Sequence, residues 1–480
     1  NRRANRLVRV FRERGLKPGD GVALLAHNGP EFVEVWAAVQ RSGLRLTAAN
    51  WHQSAQLVAY VVDNCDAKAL VASGRFVAAA TEAAKLSDKL TVKLAFAGAI
   101  DGFDDYETAL AAQSDEDITD GRPGTTMLYT SGTTGRPKGV YRKTPAVSQL
   151  TAKVNETAKW NPLTDMALVT GPLYHAAPLG INMVIPINNG VTVLLQDKWD
   201  AEDTLRLIEK HKATHTHVVP TMMHRMLQLP EETRRKYDIS SMRWIIHGAA
   251  PCPAHVKKAM MDWFGPVIHE YYSSTEGGGV YVGPHDWLKK PGTVGKAVPG
   301  VEIRLLDNSG NPVPQGQEGL IYVKAPDTGR FEYYKEPVKT ESSYRDNWFT
   351  LGDMGRLDAD GDLFLTGRTA ELIISGGVNI YPVEIDEVLI RHEGIADAAV
   401  VGVPNEDWGE EIKAVVELKP GWKASPETAQ AILDFAKEKL PGFPRPPTID
   451  FVDALPRNAA GKVLRAQVRA PYWKGRSKSI

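Results

Sequence analysis

Met127-Leu-Tyr-Thr-Ser-Gly-Thr-Thr-Gly-Arg-Pro-Lys-Gly139 gathers hydroxyls, glycines and one lysine into a single run behind a short apolar stretch. It is too polar and too flexible to be core. Its backbone N–H groups, hydroxyls and ammonium can together wrap phosphate oxygens. An ordinary Ser/Thr/Gly surface loop is the bland alternative, and the length of the donor-rich run argues against it. The loop is not a Walker A motif, because Pro137 stands five residues after Gly132, where that motif requires glycine.

Around this loop, the first 360 or so residues alternate helical patterns with short β-rich runs at Val22–His27, Ala69–Ala72, Met166–Thr170, Val191–Leu195 and His215–Val219. That rhythm predicts an α/β fold with largely parallel sheets. From Val298 to Asp360 the strands crowd together, with turn signals at Asp307-Asn-Ser-Gly310 and Asp358-Ala-Asp-Gly361. This texture predicts a small antiparallel or barrel-like section. After Gly367 comes a compact α+β tail: strand Leu372–Ile374, the Gly376-Gly377 loop, a helix from Pro382, strands Ala398–Val403 and Ile412–Leu418, and a helix from Pro426 to Lys439. The expected organisation is a large N-terminal domain of layered mixed α/β sheets (1–368) carrying a small β-barrel-like subdomain (298–360). A short connection (369–371) leads to a small α+β C-terminal domain (372–480).

A chain of 480 residues with 43% hydrophobic composition can bury several cores. Its 57 basic and 58 acidic residues nearly cancel, so no strong field draws it to nucleic acid or an anionic membrane, and any polyanion must be bound locally. Cys65 and Cys252 are its two cysteines, which rules out a disulfide framework and suits a reducing cytoplasm; both read as buried small hydrophobes. The longest apolar stretch, Gly180 to Leu195, is broken by Asn182, Asn188 and Asn189, so no transmembrane segment is expected. Asn1 to Gly15 reads as a mid-domain amphipathic helix, which predicts further sequence upstream. His215 and His217 alternate in a β-rich run without matching Cys or Asp ligands and read as core residues, not metal ligands.

The Met127–Gly139 loop resembles the signature loop of the adenylate-forming superfamily, which includes acyl-CoA synthetases, peptide-synthetase adenylation domains and beetle luciferases. Further motifs follow in the family's order, and the likeness runs from about Gly15 to Tyr472. The resemblance implies that Thr130, Ser131, Gly132, Thr133, Thr134 and Lys138 hold the phosphates of ATP. Tyr271-Tyr-Ser-Ser-Thr-Glu276 resembles the segment in which Tyr272 would stack on adenine, Thr275 reach the α-phosphate and Glu276 hold Mg²⁺, an ion that takes few direct carboxylates. Ser273 stands where the family usually has glycine, and Glu276 could otherwise cap a turn before Gly277-Gly-Gly279. His247-Gly-Ala-Ala-Pro251 resembles the other wall of the adenine slot, formed by Gly248, Ala249 and Ala250. Trp348-Phe-Thr-Leu-Gly-Asp353 resembles the motif whose aspartate accepts both ribose hydroxyls, and Thr366-Gly-Arg368 matches the partner arginine fifteen residues on. Leu455-Pro-Arg-Asn-Ala-Ala-Gly-Lys-Val463 resembles the loop carrying the adenylation lysine, here Lys462. Gly171-Pro-Leu-Tyr-His175 resembles a position between acyl pocket and thiol entry, giving His175 a gating or positioning role against a plain structural one.

The resemblance implies an ATP-dependent acid–thiol ligase that activates a small-molecule carboxylic acid as acyl-AMP and passes the acyl group to coenzyme A. It also implies a mobile C-terminal domain that exchanges the Lys462 loop for the loop containing Gly376 and Gly377. At the family's hinge position, commonly Asp or Lys, stands Ala370. Ile373-Ile-Ser-Gly-Gly-Val-Asn-Ile-Tyr-Pro382 and Pro471-Tyr-Trp473 are most similar to bacterial fatty-, aromatic- and bile-acid-type CoA ligases. The rival readings are an enzyme making only the thioester from ready-made acyl-AMP, an adenylation domain feeding a carrier protein, and a nucleotide-binding protein without catalysis. The acid pocket is expected among His175, Val219-Pro-Thr221, His247–Ala249 and Gly277–Gly279, whose small residues hint at a bulky apolar acid. A homodimer is left open, since nothing in the chain marks an interface.

Overall fold

Strand Gly21–Leu25 has every residue buried, and its alternating side chains feed two different cores. Val22 and Leu24 pack with Phe11, Phe32 and Val35 on one face. Ala23 and Leu25 pack with Val58, Val62 and Ala80 on the other. A strand covered on both sides is the mark of a parallel sheet between helical layers. In this computed structural model, which describes residues 1–130, 136–144, 148–307, 309–375, 378–440, 444–458 and 461–474, that strand is central to a six-stranded sheet. Its pairings are all parallel.

A second sheet repeats the arrangement with seven strands. Thr192–Leu195, Met166–Val169, His215–Val218, Trp244–His247 and Ile268–Tyr272 run parallel, and Val280–Val282 and Lys296–Ala297 close one side antiparallel. The apolar stretch from Gly180 becomes a turn-widened π-helix, Pro178–Val184, followed by the short helix Ile185–Asn188. Asn182 explains its own presence in that stretch. Its amide donates to Leu168 O at 2.9 Å and its carbonyl accepts from His217 N at 2.9 Å, stitching the π-helix to two central strands.

The strand-rich section is a six-stranded antiparallel sheet built from Ile303–Leu306, Glu318–Lys324, Tyr344–Arg345, Trp348–Phe349, Asp353–Leu357 and Leu363–Arg368. No pairing among the described residues joins its ends, and it continues past Asp360 to Arg368. Phe331–Tyr333 leaves it to pair with Lys138–Arg142, the strand that exits the donor-rich loop. The C-terminal portion is a five-stranded sheet around the long hairpin Ile395–Asn405 and Gly409–Leu418, with helices Pro382–Leu389 and Pro426–Lys439 packed in one core. No helix among the described residues is long and apolar enough to cross a membrane. Cys65 is buried, whereas Cys252 is only partly so, at the edge of the second sheet's core.

His215 and His217 are core residues, as their alternation suggests: His215 Nε2 meets Ala158 O at 2.9 Å and His217 Nε2 meets the Tyr271 hydroxyl at 3.0 Å. Burial lowers both, and His175, to about 4 from the ordinary 6.5. The folded chain therefore keeps them neutral where the unfolded chain takes up protons. Stability is full above about pH 6.5 and is lost as pH falls toward 4, by up to ~1.4 kcal/mol per pH unit for each histidine. The urea midpoint should drop steeply between pH 6.5 and 4.5; a flat midpoint across that window contradicts the burial.

Candidate active site

The donor-rich loop is held as a hairpin. Its arms, Leu128–Thr130 and Lys138–Arg142, place Thr130 directly opposite Lys138. Ser131, Gly132, Thr133 and Thr134 lie outside the described residues. The third strand of this small sheet brings Tyr333 beside the lysine, with Lys138 Nζ 5.4 Å from the ring centroid. Lys138 forms no ion pair among the described residues. Burial, with the neighbouring Lys339 ammonium, lowers its pKa, as expected of a cation awaiting an anion.

Tyr333 also anchors the next motif by donating its hydroxyl to Glu276 Oε1 at 2.9 Å. Glu276 is buried, and its Oε2 carries no hydrogen bond among the described residues. Arg142, from the loop's exit strand, donates to the carbonyls of both Thr275 (3.1 Å) and Glu276 (2.5 Å). Ser273, in the family's glycine position, uses its hydroxyl to brace the following turn through Gly277 O and Gly278 O. Tyr272 donates to Asp353 Oδ2 at 2.8 Å, while Arg368 Nε donates to Asp353 Oδ1 at 2.5 Å. The aspartate thus touches residues from two of the other motifs.

The opposite wall follows strand Trp244–His247. A side chain at Gly248 would collide with the Tyr271 ring, its Cβ coming within 2.6 Å of ring carbons, so only glycine fits there. Ala249 adopts a left-handed φ of 67°, turning Ala249 and Ala250 toward the cavity. Gly277, Gly278 and Gly279 lie instead against Phe349, Val323 and Val298. At Gly277 and Gly278 the small size leaves room for Phe349 and Val323 of the antiparallel sheet, which removes part of the argument for a bulky acid.

Lys462 reaches this region from the C-terminal portion. Its loop is tied on itself by Asn458 N to Lys462 O (2.8 Å) and Lys462 N to Asn458 Oδ1 (2.9 Å), and Arg457 braces it on Asp397 and on Gly461 O. Thr221 donates to Gly461 O at 3.1 Å, and His224 Nε2 donates to Ala396 O at 2.9 Å, so the loop sits directly on helix Pro220–Leu227. Burial, with Arg368 nearby, lowers the pKa of Lys462, which has no ion pair among the described residues. Gly376 and Gly377 lie outside the described residues.

Thr130, Lys138, His175, Ala249, Ala250, Thr275, Glu276, Arg368 and Lys462 line one cavity of about 720 Å³. His175 is partly buried, and its Nε2 carries no hydrogen bond among the described residues. Tyr272, Gly248 and Asp353 lie beside this lining, with Tyr272 and Asp353 joined to Arg368 by hydrogen bonds through the aspartate. Sequence reasoning missed Arg142 and Tyr333, which only the pairing of distant strands brings here. Thr221 was expected in the acid pocket and lines the cavity, and Asn458 belongs to the Lys462 motif without a role of its own having been assigned.

Residues 1–334 match the family described as AMP-binding enzyme, and residues 384–462 match its C-terminal domain. Among curated relatives, a feruloyl-CoA synthase from Amycolatopsis sp is 32% identical over 98% of this chain and 93% of its own length. Among solved structures, ATP-bound MatB from Rhodopseudomonas palustris is 31% identical, covers 98% of this chain and 92% of its own, and superposes with a TM-score of 0.84. Apo MatB from the same organism, at the same identity and coverage, gives 0.71.

Arg142→Met should leave the Thr275 and Glu276 carbonyls without their donor. The expected loss is ~1–3 kcal/mol in urea denaturation, and an unchanged midpoint would show that the clamp carries no stability.

Proposed function

The chain belongs to the AMP-binding enzyme family, and from that premise we propose the following assignment of steps to its residues. It is an ATP-dependent acid–thiol ligase that converts a carboxylic acid to acyl-AMP and then to the coenzyme A thioester. One observation carries this reading: Lys462, from the C-terminal loop, lines the same cavity as Thr130, Lys138, Thr275, Glu276 and Arg368.

A carboxylate resists attack by a thiolate, because both are anionic and oxide does not leave. Adenylation removes that obstacle. A carboxylate oxygen attacks the α-phosphorus, the bond to pyrophosphate breaks, and a mixed anhydride with AMP results. Lys138 and Thr130 hold the β- and γ-phosphates, Thr275 the α-phosphate, and Tyr272, Ala249 and Ala250 the adenine. Asp353, steadied by Arg368, takes the ribose hydroxyls. Lys462 stands where carboxylate and phosphate charges meet and stabilises the charge that spreads in the transition state. Glu276 suits Mg²⁺, since one oxygen is fixed by Tyr333 and the other is free of hydrogen bonds among the described residues. When bound, the ion supplies charge neutralisation on phosphate oxygens. His175, neutral and with Nε2 free of hydrogen bonds among the described residues, positions the reacting carbonyl at the thiol entry.

The thioester step follows rotation of the C-terminal domain about residues 369–371, bringing Gly376 and Gly377 to coenzyme A. Support comes from the tethers on either side. Thr369 N and Oγ1 both donate to Gly352 O, at 2.8 and 3.0 Å. Glu371 pairs with Arg465, which also holds Asp386 and Val400 O. Thr369 is thus fastened to one body and Glu371 to the other, with Ala370 between them. The greater likeness to ATP-bound than to apo MatB is consistent with the arrangement that serves adenylation. The near-balanced charge and the absence of a membrane-crossing helix among the described residues fit action in the cytoplasm.

Acid-dependent exchange of labelled pyrophosphate into ATP tests the reading, and its absence with every acid tried would leave only the thioester or non-catalytic alternatives. Lys462→Ala should slow that exchange by ~100-fold or more while sparing thioester formation from supplied acyl-AMP. Ala370→Pro should hold one domain arrangement and separate the two partial reactions; equal rates in both would place the pivot elsewhere.

A further inference from the structure

Beyond the phosphate-facing residues, the cavity continues into an apolar limb lined by Leu150, Val154, Ile181 and Ile185, which pack in one cluster with Tyr271. The Tyr271 hydroxyl is 3.0 Å from His217 Nε2, and both residues line the cavity. Both are buried, at 5% and 1% exposure. Neither side chain is free to move aside. The Tyr271 ring lies against the backbone of Gly248, where any Cβ would strike it. The His217 backbone is fixed at both ends, its N–H by Asn182 and its carbonyl by Thr170.

A polar pair at an apolar end is costly unless its hydrogen-bonding capacity is used. The bond between the two groups uses one position on the tyrosine oxygen. It leaves that hydroxyl one further position, as donor or acceptor according to the histidine tautomer. These residues share one cavity of about 720 Å³ with the phosphate-facing ones, so the space left for an acid beside a nucleotide is limited.

Resting on the ligase reading above, we propose that Tyr271, positioned by His217, ends the acid-binding limb and reads a hydroxyl or similar hydrogen-bonding group at the end of the acid remote from its carboxylate. The preferred substrate class is a compact acid with an apolar body and a polar far end. A site built to bond such a group rejects the analogue that lacks it, because the buried partner is then left unpaired.

Matched pairs test this on the intact enzyme: 4-hydroxycinnamic against cinnamic acid, 4-hydroxybenzoic against benzoic acid, and 10-hydroxydecanoic against decanoic acid, each scored by AMP release. The wild type should favour the hydroxylated member of at least one pair by ~10-fold or more in kcat/KM. Tyr271→Phe keeps the wall and removes the hydroxyl, so that preference should fall by ~10-fold. His217→Gln, which disturbs the pair without touching the ring, should lower the same ratio. Tyr271→Ala should shift activity toward the longer acids. A ratio is insensitive to a general loss of folded enzyme, so a structural role alone would not move it. Turnover of acids with no preference in any pair, or a preference that survives both Tyr271→Phe and His217→Gln, overturns this inference alone. No AMP release with any acid overturns the ligase reading and this inference with it.

Discussion

Two ammonium groups, Lys138 and Lys462, face one cavity with burial pressing each toward its neutral form and no carboxylate paired to either among the described residues. Holding cations in that state is unfavourable, and the fold does it with rigid supports. The loop hairpin fixes Lys138 opposite Thr130, and a self-tied turn fixes Lys462. A polyanion in the cavity would offset the cost of both at once, so local charge can favour an anionic ligand without any net charge on the protein as a whole. Preorganised in this way, the groups need little rearrangement when charge moves during reaction.

The remaining architecture follows from keeping those supports in register. Tyr333 belongs in sequence to the strand-rich section but pairs beside the loop hairpin, so one residue touches both the lysine and the Glu276 carboxylate. Arg142 does the same from the other direction, reaching from the loop's exit strand to two carbonyls of the Thr275–Glu276 segment. The loop hairpin and the Thr275–Glu276 segment are therefore one mechanical unit.

Much of this was legible in the sequence. Helix Pro426–Lys439 begins and ends where its Pro and charged last turn suggest, and each of the five β-rich runs falls within a residue or two of a parallel strand, whereas strands such as Arg45–Ala48, Trp244–His247 and Ile268–Tyr272 matched none of them. The hairpin Ile395–Asn405 and Gly409–Leu418 outruns its expected length, because its backbone pairing continues past Pro404 into residues with no apolar alternation. Lys462 was recognisable only from its surrounding motif, and Arg142 not at all. An arginine in a strand looks like solvent-facing charge until the chain segment 133 residues further on is folded against it. Gly277–Gly279 misled in the opposite sense: glycine's smallness was read as room for a ligand when it is room for Phe349 and Val323. Local composition announces which chemical groups are present, whereas long-range packing decides which direction they face.

With Thr369 fastened on one side and Glu371 on the other, torsional freedom between the two bodies is concentrated in about one residue. A joint that short behaves as a swivel on a long arm. Under the proposed rotation, modest dihedral changes there would sweep Lys462 through a wide arc and carry the Gly461 carbonyl off the Thr221 hydroxyl.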